Sequence, residues 1–360
     1  MGVVVSMGTR NKIAARRRQA CTNESYETLR RLFDRGAPRR MPTAFGAQAL
    51  LESQVMESLA SGSSWGAHPA GVAGVRIAPS ELVVCLSGHT VLDEDDDDGT
   101  TEPMTVYAAN QLLPVAEGSS GEPYGVSGLR ARPLNRTDLL LGLVGTSARV
   151  VLRAQRDTDW PMLLDHWRSQ LTEDETPRWL GYRPLWSEPT LTRSERGPGG
   201  ESVRTVQHDR AALGSALLRR IGWFEHYSAA FSTKIWVNLR EWNLELESSY
   251  DAALPHGVLL DAMADPVWGM GLAVRKQDCT CAAGRQSYPR GTSCTFDLGA
   301  DAQRTSLQIR FKASEVGERS ERRAVLASMG AEDGWLNRVL PDQTHTKQAD
   351  RHGAAARGNR

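Results

Sequence analysis

The sequence predicts an α+β fold with mixed helices, mainly antiparallel sheet and two subdomains preceded by a basic N-terminal arm. Helical and strand periodicities both occur along the 360 residues, the apolar content of 40% is that of a folded protein, and a Gly/Pro-rich stretch near residue 198 interrupts the chain. We therefore expect a basic arm at 1–40, an α+β subdomain at 41–190, a Trp-rich α+β subdomain at 203–340 and a disordered tail at 341–360.

The basic arm stands out because the whole chain has a net charge of zero. Residues 1–40 carry ten basic side chains against three acids, a local net of +7. Such a block repels itself unless a polyanion neutralises it, so we expect contact with nucleic acid or another polyanion. The expected contact residues are Arg10, Lys12, Arg16, Arg17, Arg18, Arg30, Arg31, Arg35, Arg39 and Arg40.

In the first half of the chain, local patterns predict two early helices and several strands. Helices are expected at Tyr26–Phe33 and Gln48–Leu59, and a third begins after Asp159, whose carboxylate can cap it. The acidic run at 93–98 predicts a solvated loop. Strands are expected at Leu82–Leu86, Leu139–Val144 and Arg149–Arg153.

In the second half, Asp209 is expected to cap a helix with Leu213 and Leu217 on its apolar side. Apolar alternation from 235 to 246 slips by one residue, which we interpret as a strand with a bulge. A strand is expected at Ser306–Lys312 and a last helix at Arg319–Met329.

Eight of the ten tryptophans lie between Trp160 and Trp268. A Trp-rich core and a surface for protein subunits are both consistent with this clustering. In the second case the protein would be an oligomer.

Five cysteines in a chain of this length indicate thiols in a reducing compartment. Cys279, Cys281 and Cys294 could supply thiolates to zinc, with His256 the nearest additional ligand, but inert thiols are the simpler interpretation. We assign no metal and expect no cofactor.

The N-terminus begins Met-Gly, with Ser at the sixth position, which fits N-myristoylation of Gly2. Acylation would need the nearby arginines to hold the protein at a membrane. No signal peptide or transmembrane segment is expected, and the predicted location is cytoplasmic or nuclear.

The segment from Leu259 to Leu272, with Asp265-Pro-Val-Trp268-Gly269-Met-Gly271 at its centre, resembles the tail motif of the NADAR N-glycosidase family. The residues Leu218-Arg219-Arg220 resemble the Leu-Gly-Arg segment of the same family. The resemblance implies a nucleotide N-glycosidase in which Trp268, Gly269 and Gly271 form a ligand wall. The family's Glu-His pair on an early helix has no counterpart in this sequence.

The segment Gly62-Ser-Ser-Trp-Gly66 matches the G-x-S-x-G pattern of serine hydrolases, but the helical pattern before it and His68-Pro69 after it favour a chance match. No Walker A, Rossmann, H-E-x-x-H or kinase motif occurs in the sequence. We therefore expect a non-catalytic structural or assembly protein, capsid-like or a ribonucleoprotein subunit, that binds nucleic acid or another polyanion through its basic arm. A divergent, possibly inactive N-glycosidase and an acylated membrane-peripheral adaptor are the alternatives.

Overall fold

The computed structural model describes residues 7–60, 64–65, 68–77, 81–88, 90–92, 101–117, 123–179, 200–249, 256–279, 293–300, 305–314, 319–328 and 331–341. These residues form ten α-helices and two large, mainly antiparallel sheets, which confirms the α+β prediction. Gly2, the acidic run at 93–98, Cys281 and the tail from 342 lie outside the described residues. Of the linker expected at 190–202, residues 190–199 also lie outside them, and residues 200–202 belong to a helix, so that part of the prediction was wrong.

The helices are α1 (Met7–Thr22), α2 (Tyr26–Asp34), α3 (Gly46–Leu59), α4 (Met104–Leu112), α5 (Trp160–Gln170), α6 (Gly200–Leu218), α7 (Gly222–Tyr227), α8 (His256–Ala264), α9 (Arg319–Ser328) and α10 (Asp333–Val339). The strands are β1 (Ser64–Trp65), β2 (Val72–Ile77), β3 (Leu82–Leu86), β4 (Thr90–Leu92), β5 (Thr101–Pro103), β6 (Val115–Glu117), β7 (Pro123–Tyr124), β8 (Leu129–Pro133), β9 (Asp138–Leu143), β10 (Arg149–Arg153), β11 (Glu175–Pro177), β12 (Ala230–Asn238), β13 (Glu241–Ser249), β14 (Ala273–Asp278), β15 (Ser293–Gly299) and β16 (Ser306–Ser314).

The five-stranded sheet has the order β2-β3-β10-β9-β8, and only β3 and β10 run parallel. Leu82, Val84 and Leu141 point to one face and are fully buried in the main core. Val83, Leu140 and Val151 point to the other face and form a small cluster of their own. Because successive side chains of a strand point to opposite faces, these apolar runs are buried on both faces of the sheet.

The six-stranded sheet has the order β1-β12-β13-β16-β15-β14, with β13 and β16 parallel. Strands β12 and β13 form a hairpin in which Val237 pairs with Trp242, and Leu239 in the turn has φ 52°. The expectation of a single bulged strand over 235–246 was therefore wrong. The slip in the apolar alternation marks a reversal of the chain at residues 239–240.

Helices α3 and α6 pack on each other between the two sheets, since α3 contacts β9 and β10 while α6 contacts β13. Gly214 of α6 permits this close approach, because a Cβ atom there would collide with Trp242 and Ser53. Helix α6 begins at Gly200, so the expected cap at Asp209 was wrong. Asp209 lies within the helix, where it pairs with Arg240.

Most of the described tryptophans belong to the interior. Trp160, Trp179, Trp223 and Trp242 are among the largest fully buried side chains, whereas Trp236 is 37% exposed. Their clustering in the sequence therefore reflects core packing in the described part of the chain.

Candidate functional site

The basic segment is built into the folded body by α1 and α2. Ser25 caps α2 by accepting a hydrogen bond from the Thr28 N–H, and Leu29 and Phe33 of that helix are buried. The buried side of α1 consists mainly of small residues, including Ala14 and Ala15. Residues 7–34 are thus not a free arm, because their apolar and small side chains lie in the main core.

Arg18 is the one expected contact residue that the structure removes from the surface. It is 3% exposed, pairs with Glu24 at 3.2 Å and donates to the carbonyl of Ile77. Burial raises the pKa of Glu24, and the Arg18 guanidinium partly offsets that effect. Arg18 therefore joins α1 to β2, and its assignment to polyanion contact was wrong.

The other nine expected contact residues are exposed. Arg17 pairs with Asp265 at 3.2 Å, Arg30 lies 3.9 Å from Asp34, and Arg39 donates to the side chain of Asn11. Exposed ion pairs of this kind contribute little to stability and exchange readily for other partners. In the described part of the chain, six of these side chains have no hydrogen-bonding or ionic partner, namely those of Arg10, Lys12, Arg16, Arg31, Arg35 and Arg40.

A cleft of about 880 Å³ adjoins this basic surface. Its walls are formed by the segments 38–45 and 266–272, without Arg39 and Trp268, and by helix α6 with the two residues that follow it. Arg40 belongs to both the basic surface and the cleft. Arg40, Arg219 and Arg220 are its charged lining residues, and no described lining residue is a carboxylate. Phe45, at the start of α3, is 80% exposed beside the cleft.

One wall of the cleft is fixed by a buried ion pair between Glu52 of α3 and Arg219, the residue that follows α6. Both carboxylate oxygens of Glu52, which is fully buried, accept from Arg219, at 2.7 Å from Nε and 2.6 Å from Nη2. Ser215 and Gln48 donate to the same carboxylate at 2.5 and 2.8 Å. Glu52 therefore accepts hydrogen bonds from four donors and is not exposed to solvent. Its carboxylate stabilises the wall and does not face the cleft.

The opposite wall is fixed by Arg220, which joins the two segments that resemble the NADAR family. Its guanidinium donates to the carbonyls of Trp268 and Gly269 at 2.8 and 2.6 Å and to that of Ala216 at 3.1 Å. Burial lowers the pKa of Arg220 to about 10, yet the side chain stays charged at neutral pH. Asp265 completes the turn by accepting from the N–H of Trp268.

The expected ligand wall is only partly present. Gly269 and Gly271 line the cleft, but Trp268 does not, since its ring is 7% exposed and packs edge-on against Phe33 at 6.2 Å between centroids. Placing Trp268 in the wall was therefore wrong. The sequence analysis did not identify Glu52 or Phe45 as site residues. For Glu52, the available signal was a carboxylate next to the apolar residues of α3.

A second group of reactive side chains lies at the end of strands β14 and β15. The Nε2 atom of His256 lies 3.3 Å from the sulfur of Cys279, which lies 3.5 Å from the sulfur of Cys294. Elsewhere, burial raises the pKa of the Cys21 thiol to about 11, and it also raises that of Cys85. Those two cysteines are poor nucleophiles and poor ligands.

No protein-family model, no curated protein and no solved structure matches this chain. Among the described helices, none combines the length and apolar character needed to cross a bilayer. The fold and site thus define an α+β protein with an exposed basic surface and an adjoining arginine-lined cleft.

Proposed function

We propose that this protein is a non-catalytic component of an assembly that contains nucleic acid, and that the basic surface on α1, α2 and residues 35–40 binds the phosphates. The observation that carries this proposal is the set of six exposed cationic side chains without a partner in the described part of the chain. Phosphate groups would relieve their mutual repulsion and release condensed counterions.

The cleft favours a single strand over a duplex. Phe45 exposes its ring beside Arg40, so a base could stack on the ring while its phosphate contacts the arginine. Proteins that bind single-stranded nucleic acid combine basic grooves with exposed aromatic rings in this way, and stacking contributes about 1–3 kcal/mol per base.

The proposal of a non-catalytic role rests on the lack of a carboxylate among the described lining residues of the cleft. Cleavage of a glycosidic bond needs an acid or a carboxylate that can reach the substrate. The described lining of the cleft contains none, and Glu52 behind it is saturated by four donors. The N-glycosidase alternative therefore has weaker support, and the acylated adaptor depends on Gly2, outside the described residues.

The test is the salt dependence of binding to a fluorescein-labelled 20-nucleotide single-stranded RNA, measured by anisotropy. Six phosphate contacts give a slope of log K against log salt near −4, at about 0.7 per phosphate. Two triple alanine variants, one of Arg10, Lys12 and Arg16 and the other of Arg31, Arg35 and Arg40, should each reduce that slope by about 2.

The matched control removes the same charge elsewhere, by triple alanine substitution of the exposed Arg132, Arg156 and Arg168. That variant should keep the wild-type slope. Phe45→Ala should weaken binding by about 5- to 100-fold without changing the slope. Equal slopes for both basic-surface triples and for the control would overturn the proposal.

A further inference from the structure

His256, Cys279 and Cys294 are brought together from three separate elements. His256 is the first residue of α8, Cys279 follows the last residue of β14, and Cys294 is the second residue of β15. Because Asp278 pairs with Thr295 in the β14–β15 ladder, Cys279 and Cys294 come to the same end of the two strands.

The distances among the three side chains fit coordination of one ion. All three ligand atoms lie within 4.8 Å of one another. In a tetrahedral zinc site, metal–ligand bonds of about 2.3 Å to sulfur and 2.0 Å to nitrogen place two sulfurs about 3.8 Å apart and sulfur and nitrogen about 3.5 Å apart. Two of the three observed separations, 3.5 Å between the sulfurs and 3.3 Å from Cys279 to His256, are within about 0.3 Å of these values, and the third pair, Cys294 and His256, lies within 4.8 Å.

The sulfurs do not form a disulfide, because a bonded pair would be about 2.05 Å apart. The surroundings also hold the ligands in place. Phe296 and Phe311 pack against the imidazole of His256, with ring centroids 4.6 and 5.6 Å away, and Cys294 is fully buried. Packing of this kind fixes rotamers before a ligand binds.

We propose that His256, Cys279 and Cys294 bind one zinc ion, which would join α8 to the β14–β15 hairpin. Two thiolates and an imidazole are soft and intermediate ligands, which favour Zn²⁺ over Mg²⁺ or Ca²⁺. On binding, the two thiols release their protons to solvent, and two thiolates balance the two charges of the ion. The three side chains leave one coordination position for water or another ligand; Cys281, outside the described residues, is not part of the proposed site.

The experiment uses the full chain, purified under reducing conditions, stripped with a chelator and titrated with Zn²⁺ against a chromophoric competitor. We expect one zinc ion per chain. Co²⁺ in its place should show thiolate-to-metal charge-transfer absorption together with the intense visible bands of tetrahedral coordination. Removing one ligand should weaken zinc binding at least about 100-fold, because losing even an outer partner of a ligand costs about 10–100-fold.

The variants are Cys279→Ser, which alters an exposed thiol, and His256→Asn, with Cys85→Ser as the matched control at a thiol distant from the cluster. Far-UV circular dichroism identifies variants that fail to fold, and the cobalt spectrum of the wild type tests the proposal independently of them. No zinc uptake by the folded wild type, uptake unchanged in both variants, or a cobalt spectrum without charge transfer would each overturn the proposal.

Discussion

The buried pair of Glu52 and Arg219 allows a direct test of how the cleft wall is held. The substitution Glu52→Gln keeps the shape of the side chain but removes the negative charge and turns an acceptor oxygen into a donor. Arg219 then stays 93% buried without a charged partner, and its remaining acceptors are the single amide oxygen of the new side chain and the carbonyl of Pro42 at 3.2 Å. Leaving one member of a buried ion pair without its partner costs about 3–5 kcal/mol.

A matched control lies five residues, about one and a half turns, further along the same helix. Glu57 also pairs with an arginine of α6, Arg210, through both oxygens at 2.5 and 2.7 Å, but its side chain is 35% exposed. Solvent reaches the Glu57 side chain, and Arg210, which is 12% exposed, keeps the carbonyl of Leu239 as an acceptor, so Glu57→Gln should cost less than Glu52→Gln. Because both glutamates belong to α3 and both pair with an arginine, the difference between the two losses of unfolding free energy reports the effect of burial.

The measurement is urea unfolding followed by tryptophan fluorescence and by circular dichroism. Equal m-values across the variants would show that the change in midpoint reports stability. The double variant Glu52→Leu with Arg219→Met should recover most of the lost free energy of unfolding, since an apolar pair needs no desolvation of charge. A loss for Glu52→Gln no larger than that for Glu57→Gln would refute the reasoning.

Three further predictions concern single side chains. Hydrogen bonds from Arg153 lower the pKa of Asp138, so the stability they provide is fully present above the ordinary aspartate pKa of about 4 and is lost as pH falls through the lowered pKa. Asp138→Asn should therefore destabilise most at pH 7 and progressively less as pH is lowered below about 4 in urea titrations. With a pKa of about 11, the thiol of Cys21 should resist iodoacetamide at pH 8 until urea unfolds the protein, as peptide mass mapping can show. Gly214→Ala should cost about 1–3 kcal/mol in urea unfolding by overpacking, whereas Gly257→Ala, with open space around it, should not destabilise.

Local signals predicted the elements whose residues repeat with a clear period. The bounds of the strands Leu82–Leu86 and Arg149–Arg153 were correct, and Asp159 caps α5 by accepting from the N–H of Met162. Apolar repeats and capping side chains act within a few residues, so the sequence alone is enough to identify them.

Helix α1 was missed because its buried side carries little hydrophobic signal. That side consists of Asn11, Ala14, Ala15, Arg18 and Cys21, among others, and the side chains that dominate the sequence there are charged and exposed. Small residues let α1 approach its neighbours closely, but a pattern of alanine and arginine does not distinguish a packed helix from a solvated segment.

The site residues could be predicted only where the residue type itself indicated a chemical role. His256 and the three C-terminal cysteines were identified as candidate ligands from residue type, and the structure brings three of the four together. Glu52 and Arg219 are separated by 167 positions, and no local pattern relates residues at such a distance. Only the packing of α3 on α6 makes them partners.

The docking of α1 onto the segment around Trp268 has a consequence for synthesis of the protein. The thiol of Cys21 lies 4.0 Å from the carbonyl of Trp268, and Arg17 meets Asp265, across 247 and 248 positions of the chain. At about 5–20 residues per second, a ribosome needs roughly 12–50 s to make the second partner after the first. During that interval the N-terminal helix can pack against α2 and β2, but its contacts with the segment around Trp268 form only after most of the chain has been made.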